Sequence, residues 1–194
     1  MTLKRQQIID FIILALRFYI AFFMIDYGYE KATGGQFGVD DQEILNKPLK
    51  DVDKFYIAWY LFSQSSFFDI TVGISQIIGG LLIVFNRTVL LGAFALLPIL
   101  FQILLMDIAF TTNIHGSALP IRLTIMILCD FAIIYYHKDK VISALKIMTS
   151  NSQIVFKYKW WAYIILVLLA VPIDLFFGLL SIPFKTLINY LLNK

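Results

Sequence analysis

An all-α, polytopic transmembrane helix bundle is the fold class this sequence predicts, on three observations. Five apolar runs, at about residues 8–29, 67–85, 88–110, 119–136 and 160–181, fill more than half of the 194 residues. Each has roughly the ~20 residues an α-helix needs to cross a hydrocarbon core about 30 Å thick, and a helix satisfies its own backbone hydrogen bonds there. Composition agrees: 60% of residues are hydrophobic and 15% charged, where a soluble domain carries about 25% charged residues.

The first run follows Lys4 and Arg5. It is longer than a secretory signal core, contains Asp10 and Arg17, and lacks a small-residue cleavage site, so it reads as a retained first helix. Residues 32–66 form an extracytoplasmic loop that opens on the turn-like TGGQFG. Those glycines follow no strand and open no Gly-Lys helix start, so they carry little argument for a nucleotide. From Leu49 to Phe62 the sequence LKDVDKFYIAWYLF begins with charges and becomes aromatic, which suits a helix on the interface. It either caps the bundle or gates a site through Phe55, Tyr56, Trp59 and Tyr60. The second to fourth runs complete a four-helix bundle over residues 1–145, and residues 146–194 supply a fifth transmembrane helix and a short amphipathic tail, SIPFKTLINYLLNK.

Loop charge sets the expected orientation. With a cytoplasmic N-terminus, Lys4, Arg5, Arg87, Lys138, Lys140, Lys146, Lys157 and Lys159 lie inside, and Lys31, Lys47, Lys50, Lys54, Lys185 and Lys194 outside. The contrast between Thr111–Ala118, with no Lys or Arg, and His137–Lys159, with five Lys, carries most of the argument. The expected location is a bacterial cytoplasmic (inner) membrane. The net charge of +3 is scattered and gives no case for nucleic acid. The one cysteine, Cys129, excludes an intramolecular disulfide or a CxxC redox pair.

Charged groups within spans face the bundle interior or a wet cavity, because lipid offers them no partner. Asp69, Gly73, Gln76, Gly80 and Arg87 recur at helical spacing and share one face, as do Asp10, Arg17, Gly28 and Lys31, and again Asp174, Gly178, Ser181 and Lys185. Two layers follow from depth along the spans. Arg17 and Asp130, nearer the middle, are expected to form an intramembrane ion pair. Asp26, Lys31, Asp69, Asp107, Arg122 and Asp174, with Gln76 and Gln102 deeper, form an outer layer that is either solvated at the interface or lines a polar cavity. The expected ligand or partner site is Lys31, Asp69, Gln76, Gln102, Asp107 and Arg122 beneath Trp59.

LRFYIAFFMIDYGYEKATGGQF and ISQIIGGLLIVFNRTVLLGA resemble the DoxX-like membrane proteins. The matching positions are Arg17, Gly28, Lys31, Gly79, Gly80, Leu81, Leu82, Arg87 and Thr88, and the resemblance runs over about residues 10–136. Where that family usually shows Glu before the glycines, this chain has Gln76. The resemblance implies a four-helix bundle often associated with the small subunit of a thiosulfate:quinone oxidoreductase, to which the fifth span is an addition.

Three functional classes follow. A non-enzymatic membrane protein would bind a small or lipid-like ligand, or a partner protein, in the outer cavity. A quinone-linked oxidoreductase subunit would use Arg17, Lys31 or Arg122 toward quinone oxygens, with quinone as its only cofactor and any redox centre on a partner. A transporter or channel would show inverted repeats or paired broken helices, which this chain does not. No catalytic constellation emerges, and no metal site is expected, since His115 and His137 fall on opposite sides of the membrane. The bilayer and a homo-oligomeric copy complete the expected partners.

Overall fold

The computed structural model describes residues 3–35, 46–111, 118–150 and 158–192. Among the described residues seven helices form: α1 (Leu3–Ala32), α2 (Lys54–Ser63), α3 (Ser66–Val84), α4 (Val89–Phe110), α5 (Ala118–Tyr136), α6 (Lys138–Thr149) and α7 (Trp160–Leu192), with a short 3-10 turn at Leu49–Asp51. α1, α3, α4, α5 and the first part of α7 are each long and apolar enough to cross a membrane, so this is a multi-pass membrane protein. His115, Lys157 and Lys194, used above to read the metal chemistry and the orientation, lie outside the described residues.

Two compact units divide the chain, Met1–Ile147 and Met148–Lys194. In the first, α1 packs on α3, α3 on α4, α4 on α5, and α5 returns to α1, closing a four-helix ring. The α1–α3 seam is the most extensive, and glycine makes it so. A Cβ on Gly28 would sit 2.5 Å from the Gly73 carbonyl oxygen, and a Cβ on Gly73 equally close to that of Gly28. Between α3 and α4, a Cβ on Gly92 would collide with the Ile83 backbone and one on Gly79 with the Leu96 side chain. In lipid, where apolar surface gains little from burial against apolar surface, such close backbone approach is a main source of helix association.

The core between these helices comprises Ile20, Met24, Ile83, Leu96, Leu100, Leu123, Met126 and Ile133. α1 stops where the sequence suggested a turn. Gly34, at φ +78°, donates to the Lys31 carbonyl at 3.0 Å while Gly35 reaches that of Glu30 at 2.8 Å, a glycine cap that closes the last turn. Asp53 caps α2 by accepting from the Phe55 amide at 2.8 Å, and Ser65 caps α3 from the Phe68 amide at 3.3 Å.

Three details differ from expectation. α6 is an amphipathic helix in a segment read as a loop, and none of its residues is buried. α7 continues to Leu192 through Pro183, so the C-terminal segment extends the fifth helix instead of forming a separate interfacial one. Asp174, Gly178 and Ser181 are exposed within the second unit.

Candidate functional site

Arg17 and Asp130 do not pair. The Arg17 guanidinium donates Nε to the Ile83 carbonyl at 2.8 Å, Nη1 to Asn86 Oδ1 at 2.8 Å, and Nη2 to the Val84 carbonyl. Asp130 is fully buried, and neither of its oxygens has a hydrogen-bond partner among the described residues. The reason is directional. Side chains on a helix lean toward its N-terminus, and α1 and α5 run antiparallel. From similar depths Arg17 therefore leans toward the membrane face where α1 starts, and Asp130 toward the opposite face. Arg17 meets the C-terminal end of α3, whose last carbonyls lack intrahelical donors and whose dipole favours a cation. At the same face, Asp10 accepts from Gln6 Nε2 at 2.8 Å and from the Tyr136 hydroxyl, tying α1 to α5. His137 follows directly, its Nε2 buried without a partner among the described residues. Its pKa is pushed below the ordinary histidine value by burial, then by Lys140 and Arg17.

The opposite half of the bundle holds a cavity of about 810 Å³. The glycine contacts that bring α3 and α4 together all lie in the other half, at Gly79, Ile83, Gly92 and Leu96. Toward the cavity the same helices present Val72 and Ser75 on one side and Pro98, Gln102 and Met106 on the other. α2 contacts both α3 and α4 and contributes Phe55, Trp59 and Phe62 to the lining. Phe55 stacks on Trp59 at 4.4 Å between ring centroids, and Phe62 on Phe68 of α3 at 5.2 Å. The wall is overwhelmingly apolar, with Tyr27, Lys31, Gln102 and Asp107 supplying most of its polar groups.

Of the seven expected residues, Lys31, Trp59, Gln102 and Asp107 line this cavity. Asp69, Gln76 and Arg122 are not part of its lining. Asp69 is buried on α3, its Oδ1 without a hydrogen-bond partner among the described residues, within electrostatic reach of Lys31. Gln76 is fully buried against α1, its amide 4.0 Å from the Met24 sulfur and its Oε1 without a partner among the described residues. Arg122 lies 4.9 Å from the Phe23 ring centroid and donates to the Tyr27 hydroxyl at 2.8 Å, so it meets the cavity only through Tyr27. Arg87, expected on the α3 stripe, lies past the end of that helix and is exposed. Val72, Ser75 and Pro98 were not anticipated, since apolar and small residues at cavity positions look like ordinary packing in sequence. No group of three or more His, Cys, Asp or Glu that could hold a metal occurs among the described residues.

Taken together, these features define a polytopic helical membrane protein with an aromatic-covered apolar cavity in one half of a four-helix bundle. The DoxX family model matches residues 12–107, a stretch that contains α3 and most of α1 and α4, with Arg17, Lys31, Gln76 and Asp107. A Bacillus subtilis (strain 168) protein described as uncharacterized protein YwoB is 30% identical over 112 residues, covering 58% of this chain and 71% of that protein. The chain belongs to the DoxX family. No solved structure matches it.

Proposed function

We propose that this DoxX-family protein is a non-enzymatic binder of a lipid-like small molecule, held in the cavity beneath α2. The observation that carries the reading is the cavity itself: about 810 Å³, within the roughly 300–1,000 Å³ of small-molecule sites, apolar over most of its wall with a few convergent polar groups. An apolar body would lie among Phe62, Val72, Ile99 and Leu123, and a polar head would meet Lys31, Asp107 and Gln102. A cytoplasmic N-terminus in a bacterial inner membrane, the orientation favoured by the loop charges, puts the cavity in the outer leaflet.

The test is extraction in mild detergent followed by mass spectrometry of bound small molecules, comparing the wild type with Ile103→Trp, which fills the cavity with a bulkier apolar ring. A compound enriched at near-equimolar level in the wild type and lost from a folded Ile103→Trp supports the reading. Equal carry-over in both contradicts it, and a quinone as the enriched compound would turn the reading toward an oxidoreductase subunit.

A further inference from the structure

The charges around the cavity are unequal, and this bears on which ligands it takes. Resting on the cavity-binding reading above, we infer that the site selects amphiphilic cations over anions of the same shape. Among the described residues, three ionisable groups are buried where α1, α3 and α4 meet: Lys31 at 4% exposure, Asp69 at 6% and Asp107 at 4%. Lys31 interacts electrostatically with both carboxylates, so among the described residues these two acids face one ammonium. Asp69 keeps an oxygen with no hydrogen-bond partner among the described residues, and Asp107 borders the cavity. Arg122 does not redress the balance, because it is bound to Tyr27 and interacts with Asp26. An anionic head group would add a third negative charge beside a single ammonium in a poorly screened site. A cationic one brings the count to two of each sign.

The wall fits the same chemistry. Tyr27, Phe55, Trp59, Phe62, Phe68 and Phe110 border the cavity, and the faces of aromatic rings attract cations, most strongly where water is excluded. The bundle already uses this attraction nearby: the Lys31 ammonium lies 5.8 Å from the Tyr27 centroid, and the Arg122 guanidinium 4.9 Å from that of Phe23. A bulky organic cation would place its charge near Asp107 and its apolar substituents against α2 and α4.

The experiment uses the full chain in nanodiscs of neutral phospholipid and two probes of nearly equal shape and opposite charge, tetraphenylphosphonium and tetraphenylborate. Binding is read as a saturable rise in melting temperature, with the partitioning of each ion into protein-free nanodiscs subtracted. Tetraphenylphosphonium is expected to bind at least tenfold more tightly than tetraphenylborate. Asp107→Asn should weaken the phosphonium by at least tenfold, and Asp107→Glu should restore it. Equal or tighter binding of tetraphenylborate overturns the inference, as does undiminished phosphonium binding by folded Asp107→Asn; should that variant not fold, the comparison of the two ions on the wild type decides. A long-chain alcohol serves as the uncharged control. If the alcohol binds in a manner lost in Trp59→Leu while the phosphonium does not bind, the charge selection fails and the cavity reading stands. If no probe binds, both fail.

Discussion

At the level of single residues, the buried polar groups divide by whether the structure gives them partners. Arg17 serves the open end of α3 through two carbonyls and Asn86, so Arg17→Leu leaves those acceptors unpaired in a poorly hydrated place. A loss of roughly 1–3 kcal/mol is expected, the ordinary cost of stranding a buried group. Asp130 has no such partner among the described residues. Asp130→Leu replaces an unbonded carboxyl with an apolar side chain of similar size, and is expected to hold or raise the melting temperature. In thermal unfolding, Arg17→Leu and Asp130→Leu should be additive. A coupling above about 1 kcal/mol would restore the ion pair that their depths suggested. Helix spacing could place both residues at one depth, but only the antiparallel direction of α1 and α5 shows that their side chains diverge.

His137 gives a pH dependence whose sign can be worked out. Burial, Lys140 and Arg17 hold its folded pKa below the ordinary 6.5. As pH falls through 6.5 the unfolded chain takes up a proton that the folded chain resists, so stability declines below that pH. His137→Gln should therefore flatten the fall in melting temperature between pH 7 and 5. A profile identical to the wild type would show that His137 is not the group responsible.

Among the helices, the α3 stripe was legible because spacings of 4, 3 and 4 place Asp69, Gly73, Gln76 and Gly80 on one face, and all four are buried. Three features were not. The segment that forms α6 was counted as part of a Lys-rich loop, although Val141, Leu145 and Met148 recur at helical spacing. The SIPFKTLINYLLNK segment read as a separate amphipathic tail, yet α7 runs on through it to Leu192. The cavity wall is built from residues such as Val72, Pro98 and Leu123, whose sequence pattern is that of any apolar helix. Its polar members Lys31, Gln102 and Asp107 stood out in advance, as did Phe55 and Trp59 of the aromatic segment, whereas Tyr56 and Tyr60 of that segment are not part of the lining. The glycine seams give a sharp test. Gly73→Ala must push α1 and α3 apart, since the added Cβ would sit 2.5 Å from a backbone oxygen, whereas a Cβ on Gly178 of α7 meets nothing within 4 Å. The first substitution should lower the melting temperature by several degrees. Gly178→Ala should leave it unchanged or raise it slightly, as expected from the ~1 kcal/mol helix preference of Ala over Gly. Similar effects from the two would mean that the α1–α3 contact does not hold the bundle together.

For the molecule as a whole, the charge contrast between the two faces predicts an N-terminus in the cytoplasm. In a Cys129→Ser background, single cysteines at Ser117 and Ser143 should behave oppositely toward an impermeant thiol reagent on intact cells: labelled at 117, protected at 143. The reverse pattern would invert the topology and move the cavity to the inner leaflet. The central claim, that the cavity takes an amphiphile, is tested most directly by the fluorescence of Trp59, which sits in its wall. Trp160→Phe and Trp161→Phe leave Trp59 as the sole tryptophan of the three in the chain. Titration with a brominated single-chain amphiphile in nanodiscs should quench it saturably at about one molecule per chain, and unlabelled amphiphile should reverse the quenching. Quenching that rises in proportion to the bulk lipid content, with no saturation and no competition, would contradict the account.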